Sequence, residues 1–205
     1  MKDFGLVVIG AHFGVWLEDK INEFENDNIL LVEPVPYNNR ILKKNFSKRK
    51  NIFICENAIF SENKTKKFFF VKEKSIHKLG KHWASGIGSF DKQHILNHRN
   101  KRFLITNEDI EDIEIEFIDF DKLIEKYHIK SIKNLQIDAE GAEFEILKTI
   151  NFTKIDIKIL EFEAKHFDGT FFEGPKMRII KEKLASNGFE IIRIDKENIL
   201  AKKIN

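Results

Sequence analysis

Apolar residues along this chain fall into short blocks whose spacing switches between that of a strand and that of a helix. Leu6, Val7, Val8 and Ile9 form an unbroken, partly β-branched run that stops at Gly10, which predicts a strand buried on both faces of a parallel sheet. Beyond a second glycine, Gly14, the period changes. Val15, Trp16, Ile21 and Phe24 alternate with Glu18, Asp19, Lys20 and Glu23, the pattern of an amphipathic helix. Ile29 to Glu33 predicts a second strand, ended by Pro34 because proline has no N–H for a ladder. A helix from about Tyr37 to Phe46 follows, with Ile41 and Leu42 inside, and then a strand over Ile52 to Cys55. Lys66 to Lys72 reads as a strand whose three consecutive phenylalanines call for cover on both faces, an exposed edge that pairs with another copy being the alternative.

Later blocks repeat the alternation. Ile113 to Ile118 predicts a strand and Phe120 to Tyr127 a helix, with Asp119 as its N-cap. Leu135 to Asp138 predicts a central strand that runs into a helix carrying Phe144, Ile146 and Leu147, and Ile155 to Phe162 another strand. Lys176 to Ser186 reads as a helix stopped by Gly188, and Phe189 to Ile194 with Ile199 to Lys203 as a hairpin around Asp195 to Asn198. Strands alternating with helices predict a doubly wound α/β sheet.

The pattern fades between Glu73 and about Asp112, with HWASGIGSF (82–90) at its centre. A polar stretch of this length predicts an insertion or lid on one domain spanning 1–205. Gly86 and Gly88 permit a tight turn over a ligand, with Ser89 as a hydroxyl donor. His94 and His98 share a helix face at i, i+4, the spacing of a metal pair. Without H-E-x-x-H or an evident third ligand, a solvated or substrate-contacting face is the favoured reading, and no metal centre is expected there.

Composition narrows the function classes. Thirty-five Lys and Arg against 33 Asp and Glu leave a net charge of +2, so no global field draws the chain to nucleic acid. The local run Lys43, Lys44, Lys48, Arg49, Lys50 sits where a helix C-terminus favours cations. No apolar stretch reaches membrane-span length, and Met1 leads almost directly into the first strand, so no membrane span and no signal peptide are expected. The single cysteine, Cys55, suits a reducing compartment, and a cytoplasmic location is the expectation.

Candidate chemistry gathers at strand ends. Gly10 and Gly14 give G-x-x-x-G, neither a pyrophosphate-binding G-x-G-x-x-G nor a P-loop; by itself it is equally a close strand-to-helix turn. Glu33 ends the second strand, where a carboxylate can accept both ribose hydroxyls of a nucleoside cofactor. Asn57, after the third strand, is a candidate for the adenine amino group or a plain turn former. Asp138, Glu140 and Glu143 crowd the carboxyl end of a central strand, the ligand edge of an open α/β sheet; Glu143 alone also reads as a solvated helix-start acid. Glu161, Glu163 and His166 follow the next strand onto that edge. Carboxylates of Asp138, Glu140 and Glu161 suit Mg²⁺, which their spacing alone does not establish.

IGAHFG (9–14), VEPVPYN (32–38), ENAIFSE (56–62) and LQIDAEGAEFEILK (135–148), in this order and spacing, resemble the FkbM-type family of S-adenosylmethionine-dependent methyltransferases. The resemblance implies a class I methyltransferase fold, a Rossmann-like seven-stranded sheet with its last strand antiparallel. It also implies that Gly10, Ala11, His12 and Gly14 wrap the methionine part of the cofactor and that Glu33 holds the ribose. Pro34, Asn57, Ala58 and Asp138 complete the expected cofactor lining. Two positions depart from the family pattern: Val8 replaces the usual aspartate, removing a contact to the cofactor's amino-acid group, and His12 replaces a common asparagine.

Methyl transfer needs an acceptor aligned with an activated methyl and shielded from water. Asp138 or Glu140 is expected to orient the acceptor and His166 to act as base. The family resemblance suggests O-methylation of a sugar, glycolipid or other small molecule. With no lid helices ahead of the first strand, the 73–112 segment and the 164–175 loop are expected to shape the acceptor pocket, or a second copy in a homo-oligomer. A cofactor-binding protein impaired by Val8 and a nicotinamide-dependent Rossmann enzyme are the alternatives.

Overall fold

A computed structural model describes residues 1–80, 82–98, 104–169 and 173–204, with backbone alone for His82 and Trp83. In chain order the strands are β1 (Lys2–Ile9), β2 (Asn28–Val32), β3 (Ile52–Cys55), β4 (Ala58–Ile59), β5 (Lys64–Val71), β6 (Gly88–Ser89), β7 (Ile110–Ile118), β8 (Ile129–Ile137), β9 (Asp156–Glu163), β10 (Phe189–Arg193) and β11 (Asn198–Lys203). The helices are α1 (Glu18–Glu23), α2 (Pro36–Asn45), α3 (Glu73–Leu79), α4 (Lys92–Leu96), α5 (Phe120–Tyr127), α6 (Glu143–Thr149) and α7 (Pro175–Ser186). Seven strands form the main sheet in the order β10-β11-β9-β8-β1-β2-β3. Only β11 runs against its neighbours, β9 and β10, so this is the class I methyltransferase topology expected from the sequence.

β1 lies at the middle, paired in parallel with β2 and with β8. Its alternate side chains feed two cores. Val7 and Ile9 pack with Leu30, Leu135, Ile146 and Ile180 on one face, while Leu6 and Val8 pack with Leu31, Leu17, Ile21 and Leu42 on the other. Each such fully buried side chain contributes about 1.5–3 kcal/mol relative to exposure, which is why the opening apolar run is unbroken rather than alternating. Asp119 caps α5 as expected, its Oδ1 accepting from the Lys122 N–H at 2.8 Å. No helix among the described residues is long and apolar enough to cross a membrane.

Three sequence expectations change. The segment after Gly14 is a short 3₁₀ turn, Val15–Leu17, before α1 begins. The tighter turn shifts the helical phase, so Val15 and Trp16 are exposed, and Leu17 and Ile21 cover the sheet instead. The 73–112 segment is also more ordered than its polarity suggests: it carries α3, β6 and α4 around a small cluster of Val71, Ala84, Ile87, Ile95, Ile105 and Ile110. β6 joins β4, β7 and β5 in a second, four-stranded sheet. There Phe68 and Phe70 face Val35, Tyr37 and Phe117, while Phe69 packs on the insertion, so all three phenylalanines are covered. Third, Glu143 is fully buried rather than solvated.

Candidate active site

Two turns at the carboxyl ends of β1 and β8 build the site. Gly10 holds φ +91°, and a Cβ there would stand 1.7 Å from the Asp138 carbonyl oxygen. Only glycine lets the two strand ends meet this closely. Gly10 and Ala11 N–H both donate to the Val32 carbonyl, at 3.0 and 2.9 Å, which locks the turn to β2. His12 follows with φ 52°, in the left-handed region, and this turns its N–H toward Glu33.

Glu33 is 5% exposed. Its Oε2 accepts from the His12 N–H at 2.8 Å and its Oε1 from the Val35 N–H at 2.9 Å, with the Asn38 amide at 3.4 Å. Burial pushes its carboxyl up to about 7, although these hydrogen bonds pull the other way. The insertion reaches over this corner: Ser85 Oγ stands 2.6 Å from His12 Nε2, and the Ser85 carbonyl accepts from Asn38 Nδ2 at 2.7 Å.

The second turn, Asp138 to Ala142, places Glu140 at φ 47° and Gly141 at φ 103°. Glu143 holds it from within. Its Oε1 accepts from the Ala139 N–H at 2.7 Å and its Oε2 from the Gly141 N–H at 3.0 Å. Ligand atoms of Asp138, Glu143 and Glu163 lie within 4.8 Å of one another. Burial, aided by neighbouring carboxylates, pushes Glu143 up to about 8 and Glu163 to about 7. Lys165 pairs with Glu163 and counters part of that rise. Asp138 is exposed, and desolvation by its surroundings raises its carboxyl against the pull of Lys165.

A narrow cleft of about 60 Å³ joins the two turns, lined among others by Gly10, Glu33, Pro34, Ala58, Asp138 and Glu140, with Gly86 and Gly88 from the insertion. Eight of the residues singled out in the sequence therefore converge. His166 stands beside them, its Nε2 3.8 Å from Glu140 and 3.6 Å from Glu163. His12 closes the corner through its backbone and its ring. Ala11 is buried under α1, and Gly14 makes room for Phe46 and Leu42 of the adjoining helix region; neither lines the cleft.

Asn57 is not brought into the lining either. Its amide donates to the Glu116 carbonyl and carboxylate, both at 3.0 Å, and its oxygen accepts from Lys126 at 2.6 Å. The cation set Asp138, Glu140 and Glu161 does not form, because Glu161 is held by Lys20 at 2.6 Å and Asn134 at 3.0 Å. Glu163, one step further along the same face of β9, is the carboxylate that meets Asp138. Val8, the departure from the family pattern, is 1% exposed among apolar neighbours. Thr170 to Phe172 of the 164–175 loop lie outside the described residues.

Sequence reasoning missed the Ser85 contact with His12 and the inward role of Glu143. The i+3 spacing of Glu140 and Glu143 after a strand-ending aspartate was the available signal for the latter. It also left His94 and His98 without a third partner, which the fold supplies as Glu140.

The Methyltransferase FkbM domain model matches residues 9–191. No curated protein matches the chain. Among solved structures, precorrin-6y C5,15-methyltransferase from Geobacter metallireducens is 12% identical over 99% of this chain and 82% of its own, with a TM-score of 0.47. Aeropyrum pernix fibrillarin with bound S-adenosyl-L-methionine is 11% identical over 99% and 67%, at 0.45. Streptococcus mutans SMU.1697c in complex with SAH is 8% identical over 99% and 91%, at 0.46. No site residue is carried over at such identities. With its family model spanning the glycine turn, Glu33 and the whole Asp138 turn, the chain belongs to the FkbM methyltransferase domain family.

Proposed function

We propose that this protein is an S-adenosylmethionine-dependent methyltransferase acting on a hydroxyl of a small or sugar-containing molecule. The observation that carries the reading is the convergence of Gly10, Glu33 and Asp138 on one cleft in a chain of this family. The donor set fits the cofactor. Glu33 Oε2 accepts one N–H and retains a lone pair for a ribose hydroxyl, while Oε1 already accepts from Val35 and Asn38, and Gly10 leaves the backbone bare at the crossing of the strand ends. The cofactor, when bound, supplies a methyl group already activated on a sulfonium.

The chain's own residues then have three tasks. Glu33 fixes the ribose end by charge-assisted hydrogen bonds. Asp138 and Glu140, on the turn beside it, orient the acceptor hydroxyl. His166, between Glu140 and Glu163, takes the hydroxyl proton near neutral pH. Water exclusion falls to the loop through Ser85, Gly86 and Gly88, which roofs the narrow cleft and must lift for a ligand of nucleoside size to enter.

Thermal unfolding with S-adenosylhomocysteine, beside NAD, tests the reading. At a hundred times its dissociation constant a ligand of the native state adds about 2.7 kcal/mol. A rise with S-adenosylhomocysteine alone is the expected result, and a rise with NAD alone would overturn it. No rise with either would favour the impaired reading, for which the buried, apolar setting of Val8 is the specific observation.

A further inference from the structure

The insertion brings two histidines that methyl transfer as described does not use, His94 and His98, against Glu140 of the Asp138 turn. α4 carries His94, and His98 follows one helical turn later. Ligand atoms of His94, His98 and Glu140 all lie within 4.8 Å of one another. The His94 ring also stands edge-on to His98 and to His166, with centroids 5.6 and 5.2 Å apart. Three of the chain's seven histidines thus meet around one carboxylate. His94 Nε2 is buried and has no hydrogen-bond partner among the described residues, a costly state for an imidazole nitrogen. Gly141, at φ 103°, lies in contact range of the His94 ring.

We propose that His94, His98 and Glu140 bind a divalent transition-metal ion, zinc being the best match, at the mouth of the cleft. Two imidazoles and a carboxylate are a zinc-type donor set, whereas Mg²⁺ prefers oxygen throughout. Bonds of about 2.0–2.2 Å place ligand atoms of a tetrahedral site about 3.4 Å apart, so side-chain rotations close the present spread. The neighbouring trio Asp138, Glu143 and Glu163 is the poorer site, since it lacks nitrogen donors and Glu143 is engaged by Ala139 and Gly141.

Three protein ligands leave a coordination position open, and Glu140 lines the cleft. The ligand class for that position is an oxygen donor of the acceptor, a hydroxyl or a carboxylate. Glu140 would then orient the acceptor through the ion rather than directly. Binding of the ion does not rest on the cofactor reading: metal binding without a response to S-adenosylhomocysteine would keep this proposal and count against the other.

The test uses the full chain without an affinity tag, stripped with chelator and titrated with Co²⁺, then Zn²⁺. One equivalent of Co²⁺ should give the visible bands of a low-coordinate site, Zn²⁺ should displace it, and Mg²⁺ should leave the spectrum unchanged. H98A and E140Q should each weaken Co²⁺ binding by about a hundredfold or more. Their metal-free thermal unfolding should match the wild type, E140Q keeping the shape of the native side chain. Absence of stoichiometric Co²⁺ binding to the wild type, or binding that survives both substitutions, would overturn the site.

Discussion

In the function proposed, Glu33 couples folding to cofactor affinity through one buried acid. Its folded pKa of about 7 stands above the ordinary 4.5. Its contribution to stability is therefore full below pH 4.5 and is lost as pH rises to about 7, a change of about 3 kcal/mol. Urea unfolding of the wild type between pH 4.5 and 8 should show a decline to which the raised carboxyls of Glu143 and Glu163 also contribute, and Glu33→Gln should make it shallower; equal slopes in the two proteins would remove Glu33 as a source. Ribose hydroxyls donate to the ionised form, so S-adenosylhomocysteine should bind more tightly at pH 8 than at pH 6. This residue was legible in the sequence because Pro34 marks the strand end. Glu143 was not, because an acid at a helix start looks the same whether it faces water or, as here, turns inward to hold two N–H groups. The partners of Asn57 were not legible for a related reason: Glu116 and Lys126 come from β7 and α5, far along the chain.

Among elements, the insertion covers one side of the cleft. Ser85 contacts His12 through its hydroxyl, and Asn38 and Tyr37 through its carbonyl, which ties the roof to the glycine turn and to α2. Ser85→Ala removes the hydroxyl contact and keeps the carbonyl contacts. We predict faster association of S-adenosylhomocysteine, by a few-fold, a neutral hydrogen bond being worth about 1 kcal/mol; stopped-flow mixing measures it, and an unchanged rate would mean that the roof is held elsewhere. The strands and helices of the main sheet were readable because burial on one or two faces writes a period into the sequence. The insertion was not, since its helices are short and its own core is small. Its two histidines were visible as a spaced pair, while the carboxylate that completes them belongs to a turn on another strand.

Over the whole molecule, stability is divided unevenly. The main cluster reaches from Phe4 to Ala201, whereas the cluster under α3 and α4 contains few fully buried side chains. Small cores open at lower free energy than large ones. Amide hydrogen exchange should accordingly be faster in α3 and α4 than in β1, β2 and β8, and equal protection would show that the insertion opens only with the sheet. The strand order carries a further consequence. β11 follows β10 in the sequence, yet it lies inside the sheet between β9 and β10. During synthesis the preceding strands can pair as they emerge, but β9 keeps an unpaired edge until residues 198–203 have left the ribosome. Pairing of β11 is thus the step that covers the β9 edge, which until then is open to other chains.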